Sequence, residues 1–148
     1  MRILKIFFIL GLLFSGTFSL QAQSAAALVD MCAMGAGDDA TYLKDYIVEL
    51  EAAQPNERPP VEKVTILLKK NTQYRLSVCN SETSQGKAVI QLYDEGKLLG
   101  STYNAETGRD FDGFDFTCTK TGPYHIFLSF QDGKSGSAVC ILSFIKIL

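Results

Sequence analysis

Apolar and polar residues alternate along most of this chain, a pattern typical of strands that bury one face. The alternation first appears at residues 42–51 and resumes after a proline-rich loop at residues 52–60. Beyond that loop it recurs in short segments that are separated by turn residues such as Asn71, Gly96 and Gly122. These later segments lie near residues 61–69, 74–79, 88–92, 97–103, 114–118, 124–130 and 139–147.

The links between these segments are short, and this predicts an all-β fold. Hairpin-length links join antiparallel strands, whereas parallel strands need crossover helices for which the chain has no room. The pattern therefore predicts an antiparallel β-sandwich of about eight strands with jelly-roll-like connections. Small, Ala-rich residues at 24–36 predict a short N-terminal helix or an ordered arm.

The first 22 residues have the pattern of a secretory signal peptide. Arg2 and Lys5 precede an apolar stretch at residues 6–14, and small residues around Ala22 predict cleavage after that residue. The predicted organisation is a signal peptide at 1–22 and then one domain. That domain comprises an N-terminal arm, first strand and Pro-rich loop at 23–60 and a β-sandwich body at 61–148. We expect an exported protein, periplasmic or extracellular, with no membrane span after signal removal.

The chain length, composition and net charge exclude several classes of protein. The chain has 148 residues, of which 47% are hydrophobic and 20% are charged, and its formal net charge is −2. This length rules out a large multidomain enzyme. The chain has no excess of basic residues of the kind that binds nucleic acid, so no nucleic-acid partner is expected. The high apolar fraction with low net charge argues against disorder.

All four cysteines follow the predicted signal peptide, and an even number in an exported chain predicts two disulfides. They are Cys32, Cys79, Cys118 and Cys140. No Cys-x-x-Cys or Cys–His spacing typical of zinc sites is present.

Two pairings of these cysteines remain open. If the strand at 72–80 runs antiparallel to that at 122–131, Cys79 comes close to Cys118, and Cys32 is left for Cys140. Alternation argues against this bond, because it places Cys79 and Cys118 on faces of different character. The rival pairing is Cys32–Cys79 with Cys118–Cys140.

Residues 61–146 resemble the pre-peptidase C-terminal domain family of exported bacterial β-sandwiches. The matching segments are Tyr74-Arg-Leu-Ser-Val, Ile90-Gln-Leu-Tyr-Asp-Glu-Gly-Lys-Leu-Leu, Phe114-Asp-Phe-Thr and Thr121-Gly-Pro-Tyr-His-Ile-Phe-Leu. The resemblance implies an accessory module that accompanies a catalytic domain and binds calcium or a polymer. No catalytic domain is present here, so no binding residue is transferred from the family.

Candidate chemistry is sparse. No cofactor is expected. Asp110, Asp112 and Asp115 form the densest acidic cluster, which is favoured as a solvated strand entrance, with a calcium site as the alternative. The single histidine, His125, lies on a predicted strand, and the hydroxyls considered as its partners are those of Ser77 and Ser129. Aromatic residues at strand spacing and the absence of Trp favour core or sheet-covering tyrosines over a sugar-stacking surface. Tyr93 and Tyr103, which flank a hairpin, are the exposed candidates for such a surface among the six tyrosines: Tyr42, Tyr46, Tyr74, Tyr93, Tyr103 and Tyr124.

Because the sequence shows no recognisable group of catalytic residues, it favours an exported, non-catalytic binding or structural module that acts on a protein or polymer. A hydrolase with an unfamiliar site and a calcium-stabilised structural module are the alternatives.

Overall fold

Residues 20–148 are described by a computed structural model, with side chains from residue 25 onwards. The predicted signal peptide lies outside the described residues except for residues 20–22, which begin the helix. The elements are α1 (Leu20–Gly35), β1 (Thr41–Leu50), β2 (Glu62–Leu68), β3 (Thr72–Asn80), β4 (Ala88–Asp94), β5 (Lys97–Ser101), β6 (Tyr103–Asn104), β7 (Arg109–Asp110), β8 (Gly113–Cys118), β9 (Gly122–Phe130), a single 3₁₀ turn (Gln131–Gly133) and β10 (Gly136–Ile147). No helix within this part of the chain is long and apolar enough to cross a membrane.

Eight of the strands form two four-stranded antiparallel sheets. The first sheet has the order β1-β10-β3-β8 and the second has the order β2-β9-β4-β5, while β6 and β7 form a small separate ladder. Apart from the β4–β5 hairpin and the small β6–β7 ladder, successive strands alternate between the two sheets, as in a double Greek-key jelly roll. The predicted antiparallel sandwich of about eight strands is confirmed, and the Ala-rich segment forms the predicted helix.

The main core lies between the two sheets. Alternation within each strand directs every second side chain inward, as in β3, where Tyr74, Leu76 and Val78 are buried. β9 contributes the facing residues from the second sheet. The largest fully buried side chains on the inner faces are Leu76, Ile90, Leu92, Tyr124, Ile126 and Leu128.

A second, smaller core lies on the opposite side of the first sheet, beneath α1. Cys32 of the helix packs against Val139 and Ile141 of β10. β10 is thus buried on both faces from Ala138 to Ser143, which explains its nearly continuous apolar sequence. A disulfide between Cys32 and Cys79 of β3, with a Cα–Cα distance of 5.7 Å, fastens the helix to the sheet.

The predicted Cys79–Cys118 and Cys32–Cys140 bonds are wrong. β3 pairs with β8 and β10, whereas β9 lies in the other sheet, so the strand pairing behind that prediction does not occur. Cys79 lies on the outer face of the first sheet and Cys118 is buried in the core, as alternation indicated. The Cys32–Cys79 bond of the rival pairing is present.

The second bond of the rival pairing is also wrong, because Cys118 and Cys140 are both free and buried. Cys118 lies opposite Thr72 of β3, whereas Cys140 lies opposite Val78 of the same strand. These positions are six residues apart, or about 20 Å along the strand. That separation far exceeds the ~7 Å between Cα atoms that a disulfide allows.

This arrangement predicts a stepwise pattern of thiol alkylation. Burial raises the pKa of the Cys140 thiol above its ordinary value, so little reactive thiolate forms. We expect intact-mass analysis to show no alkylated cysteine in the folded, oxidised protein, two after unfolding without reductant and four after reduction. Alkylation of all four cysteines in unfolded, unreduced protein would contradict the Cys32–Cys79 bond.

A charged network holds the end of α1 to the first sheet. The Arg75 guanidinium contacts Asp39 at 2.8 Å and Asp115 at 2.6 Å, and it makes two hydrogen bonds to each carboxylate. It also donates to the carbonyl of Ala36, just beyond the last helical residue, at 2.8 Å. A cation at a helix C-terminus is favourable because carbonyls there lack helical partners.

This network predicts a pH dependence of stability. Hydrogen bonding from Arg75 lowers the pKa of Asp39 below its ordinary value of about 3.8. The ionised carboxylate therefore stabilises the folded state above that ordinary pKa, and the contribution is lost as the pH falls through the lowered pKa. We expect Asp39→Asn to be less stable than wild type at pH 6 and equally stable well below pH 3, as measured by urea unfolding.

Asp38→Asn provides the matched control for this experiment. Asp38 is the neighbouring, exposed aspartate and makes no ion pair among residues 20–148. A pH-independent difference between Asp39→Asn and wild type, or the same pH profile in Asp38→Asn, would contradict the proposed role of the Arg75 pair.

Candidate ligand-binding face

The outer faces of the two sheets differ in what covers them. α1 packs on the outer face of the first sheet, whereas loop residues around 58–61 and 131–133 and Tyr103 of β6 border one end of the outer face of the second. The strands of the second sheet bury alternate residues in the core, so the intervening side chains form this surface. We call the surface the outer face of the second sheet.

Three rows of paired residues cross the centre of this face. Each row joins one residue of β4 to one of β9, and neighbouring rows are two residues apart, or about 7 Å. The rows are Val89 with Ser129, Gln91 with Phe127, and Tyr93 with His125.

An aromatic pair lies at one end of the rows. The rings of Tyr93 and Phe127 meet edge to face with centroids 5.1 Å apart. Lys63 of β2, opposite Phe127 in the sheet, places its Nζ 5.6 Å from the centre of the Phe127 ring. The result is a half-buried aromatic surface with a cation at its border.

A cleft of about 530 Å³ lies at the other end, above the Val89–Ser129 row. Val89 is buried and forms part of its floor, and Tyr103 lies in its lining. The rest of the lining combines amide, guanidinium and carboxylate groups with apolar contacts: Arg58, Pro59, Val61, Gln91, Phe130, Gln131, Asp132 and Gly133.

Two loops that are distant in sequence form this cleft together. The Ala53 amide donates a hydrogen bond to the Gly133 carbonyl at 2.7 Å, which ties the Pro-rich loop to the turn after β9. Asp132 and Gly133 both have positive φ, at 57° and 64°, so the turn uses conformations that Asp and Gly tolerate best. Proline fixes the backbone of the facing loop. The cleft is therefore bordered by conformationally restricted segments.

The predicted acidic cluster does not converge. Asp110 contacts Lys87 at 3.3 Å and the amide of Gln131, whereas Asp115 is bound by Arg75 and by Gln73. Asp112 is exposed. Within residues 20–148, no three His, Cys, Asp or Glu side chains are grouped to hold a metal ion.

His125 is half-buried in the Tyr93 row, and its Nδ1 lies 3.1 Å from the Thr65 hydroxyl. No carboxylate of the described chain hydrogen-bonds to its ring. Ser129 is four residues away along β9, about 13 Å, and Ser77 belongs to the first sheet. The histidine and serines considered from sequence are therefore not brought together.

The six tyrosines separate into different environments. Tyr74 and Tyr124 are buried in the core, and Tyr46 packs against its edge. Tyr42 is exposed on β1 in the first sheet. Tyr93 lies on the outer face of the second sheet, and Tyr103 of β6 lines the cleft beside that face.

Sequence reasoning missed Phe127 and Gln91 as members of this face. A signal for them existed, because both alternate with buried residues and must therefore point away from the core.

Comparisons with known proteins give no functional assignment: no family model matches the chain, and no curated protein matches it either. The resemblance to the pre-peptidase C-terminal domain family stays a prediction.

Proposed function

We propose that this protein is an exported, non-catalytic binding module that engages a protein or polymer outside the cytoplasm through the outer face of the second sheet. One observation carries the proposal. The helix packs on one outer face of the sandwich and borders a cleft there, whereas the other outer face presents an aromatic pair beside a cleft of its own. Clefts of this size with a few oriented polar groups are typical of ligand sites.

The Cys32–Cys79 bond supports the compartment in this proposal. Disulfides persist in oxidising compartments and are rare in the cytosol. Export to the periplasm or beyond agrees with this bond and with the signal pattern of residues 1–22.

The separation of His125 from a carboxylate favours binding over hydrolysis. A nucleophile–histidine pair needs a third group to orient the base, and Thr65 is the only side chain of the described residues that hydrogen-bonds to His125.

Co-sedimentation with the insoluble envelope of the producing cells tests the proposal. We expect the wild-type protein to sediment with this material. Ser129→Arg places a long cation in the cleft at one end of the face, and we expect this variant to remain in the supernatant.

Thr117→Arg is the matched control, because it adds the same side chain at an exposed position on β8 of the first sheet. It should sediment like wild type, and thermal unfolding should show that both variants are folded. Sedimentation of Ser129→Arg at the wild-type level, or a wild-type protein that stays in solution, would refute this assignment of the binding face.

A further inference from the structure

A ligand on the outer face of the second sheet would contact side chains, because the backbone groups of the central strands are hydrogen-bonded to neighbouring strands. The rows belong to β4 and β9, which each have a hydrogen-bonded neighbour on both sides. An extended peptide that binds by strand addition needs an unpaired sheet edge. The unpaired edges of this sheet are β2 and β5, so a ligand that lies on the rows of β4 and β9 does not bind by strand addition.

The face also carries little charge. In the three rows, His125 is the only titratable group besides the tyrosine hydroxyl, and Lys63 lies beside them on β2. The cleft adds Arg58 and Asp132, which have opposite charges. An anionic polymer would call for clustered cations, so this balance fits an uncharged ligand.

The side chains present two kinds of chemistry. Tyr93, Phe127 and Tyr103 offer aromatic surface, and Gln91 and Ser129 lie between them with hydrogen-bonding groups. A sugar ring has the complementary construction, because its C–H groups form apolar faces and its hydroxyls project around the rim. The rows extend for about 13 Å, so a chain of sugars can contact the cleft and the aromatic pair together.

From these observations we infer that the outer face binds a neutral polysaccharide. The half-buried Tyr93 ring, which meets Phe127 edge to face, provides a stacking contact, and the cleft beside Tyr103 provides a hydrogen-bonding subsite. The inference rests on the proposed function and specifies the class of its ligand.

Affinity electrophoresis of the full exported protein tests this inference. The probes are the neutral polysaccharide extracted from the envelope of the producing cells after proteinase digestion, together with soluble glucan, mannan and xylan. We expect the envelope polysaccharide to retard the wild-type protein, and polygalacturonate, an anionic polymer, to have little effect.

Tyr93→Ala and Tyr103→Ala should each weaken the retardation about tenfold, since each removes one aromatic contact. Tyr42→Ala removes an exposed tyrosine from the first sheet and should bind like wild type. Thermal unfolding establishes that each variant is folded. If both face variants bind like wild type, or if Tyr42→Ala loses binding equally, the inference is overturned.

The two proposals fail in different ways. A protein partner would be indicated by three results together. Ser129→Arg abolishes sedimentation with intact envelope, proteinase digestion of the envelope abolishes sedimentation of the wild-type protein, and no polysaccharide retards the wild-type protein. The binding face would then stand and the polysaccharide inference would fall. Equal sedimentation of Ser129→Arg and wild type would overturn both proposals.

Discussion

Ile126→Ala is expected to lower the free energy of unfolding by about 2–5 kcal/mol. Ile126 is fully buried in β9, where its neighbours are Val64 of β2 and Leu92 of β4. Truncation removes apolar contact in the centre of the sandwich and leaves a cavity that two rigid sheets can only partly close. Urea unfolding of wild type and variant measures the difference.

Leu67→Ala is the matched control for this substitution. Leu67 is in the adjacent strand of the same sheet, but its side chain is 81% exposed. Its truncation should change the free energy of unfolding by no more than about 0.5 kcal/mol. Equal effects of the two substitutions would contradict the assignment of inner and outer faces in the second sheet.

Joint replacement of Cys32 and Cys79 by Ala is expected to cost about 2–4 kcal/mol of stability. The bond joins residues that are 47 apart in sequence, so its removal frees a long loop in the unfolded chain. In the folded state the helix keeps only its small apolar cluster and the Arg75 network. Urea unfolding measures the loss of stability. The double substitution should also increase the rate of amide hydrogen exchange more in residues 25–35 than in β9.

Reduction supplies an internal control for the disulfide. A reductant should destabilise the wild-type protein to the level of the double variant and leave the double variant unchanged. If reduction has no effect on the unfolding of wild type, the bond does not contribute to stability in the way described.

The cysteines show where sequence reasoning succeeded and where it failed. Alternation assigned Cys79 and Cys118 to faces of different character, and the structure places one outside the first sheet and the other in the core. The favoured pairing instead depended on which strands are neighbours. In a jelly roll that is a property of the whole chain, because most neighbouring strands in a sheet are far apart in sequence, as β1 and β10 are.

The proposed binding face was predictable to a similar degree. The hairpin signal at residues 94–96 placed Tyr93 next to a turn, and Tyr103 follows the second strand of that hairpin. The cleft depends on the contact between Ala53 and Gly133, which are far apart in sequence. No local pattern encodes such a contact, so the cleft was not foreseen.

The central position of β10 has a consequence for the order of folding. β10 lies between β1 and β3, so the first sheet stays in two pieces until residues 136–147 join it. β1 precedes this partner by about ninety residues, and closing so large a loop is entropically costly. We expect slow, all-or-none folding in the millisecond-to-second range typical of β-sandwiches, during which the unpaired edges of β1 and β3 are open to association with other chains.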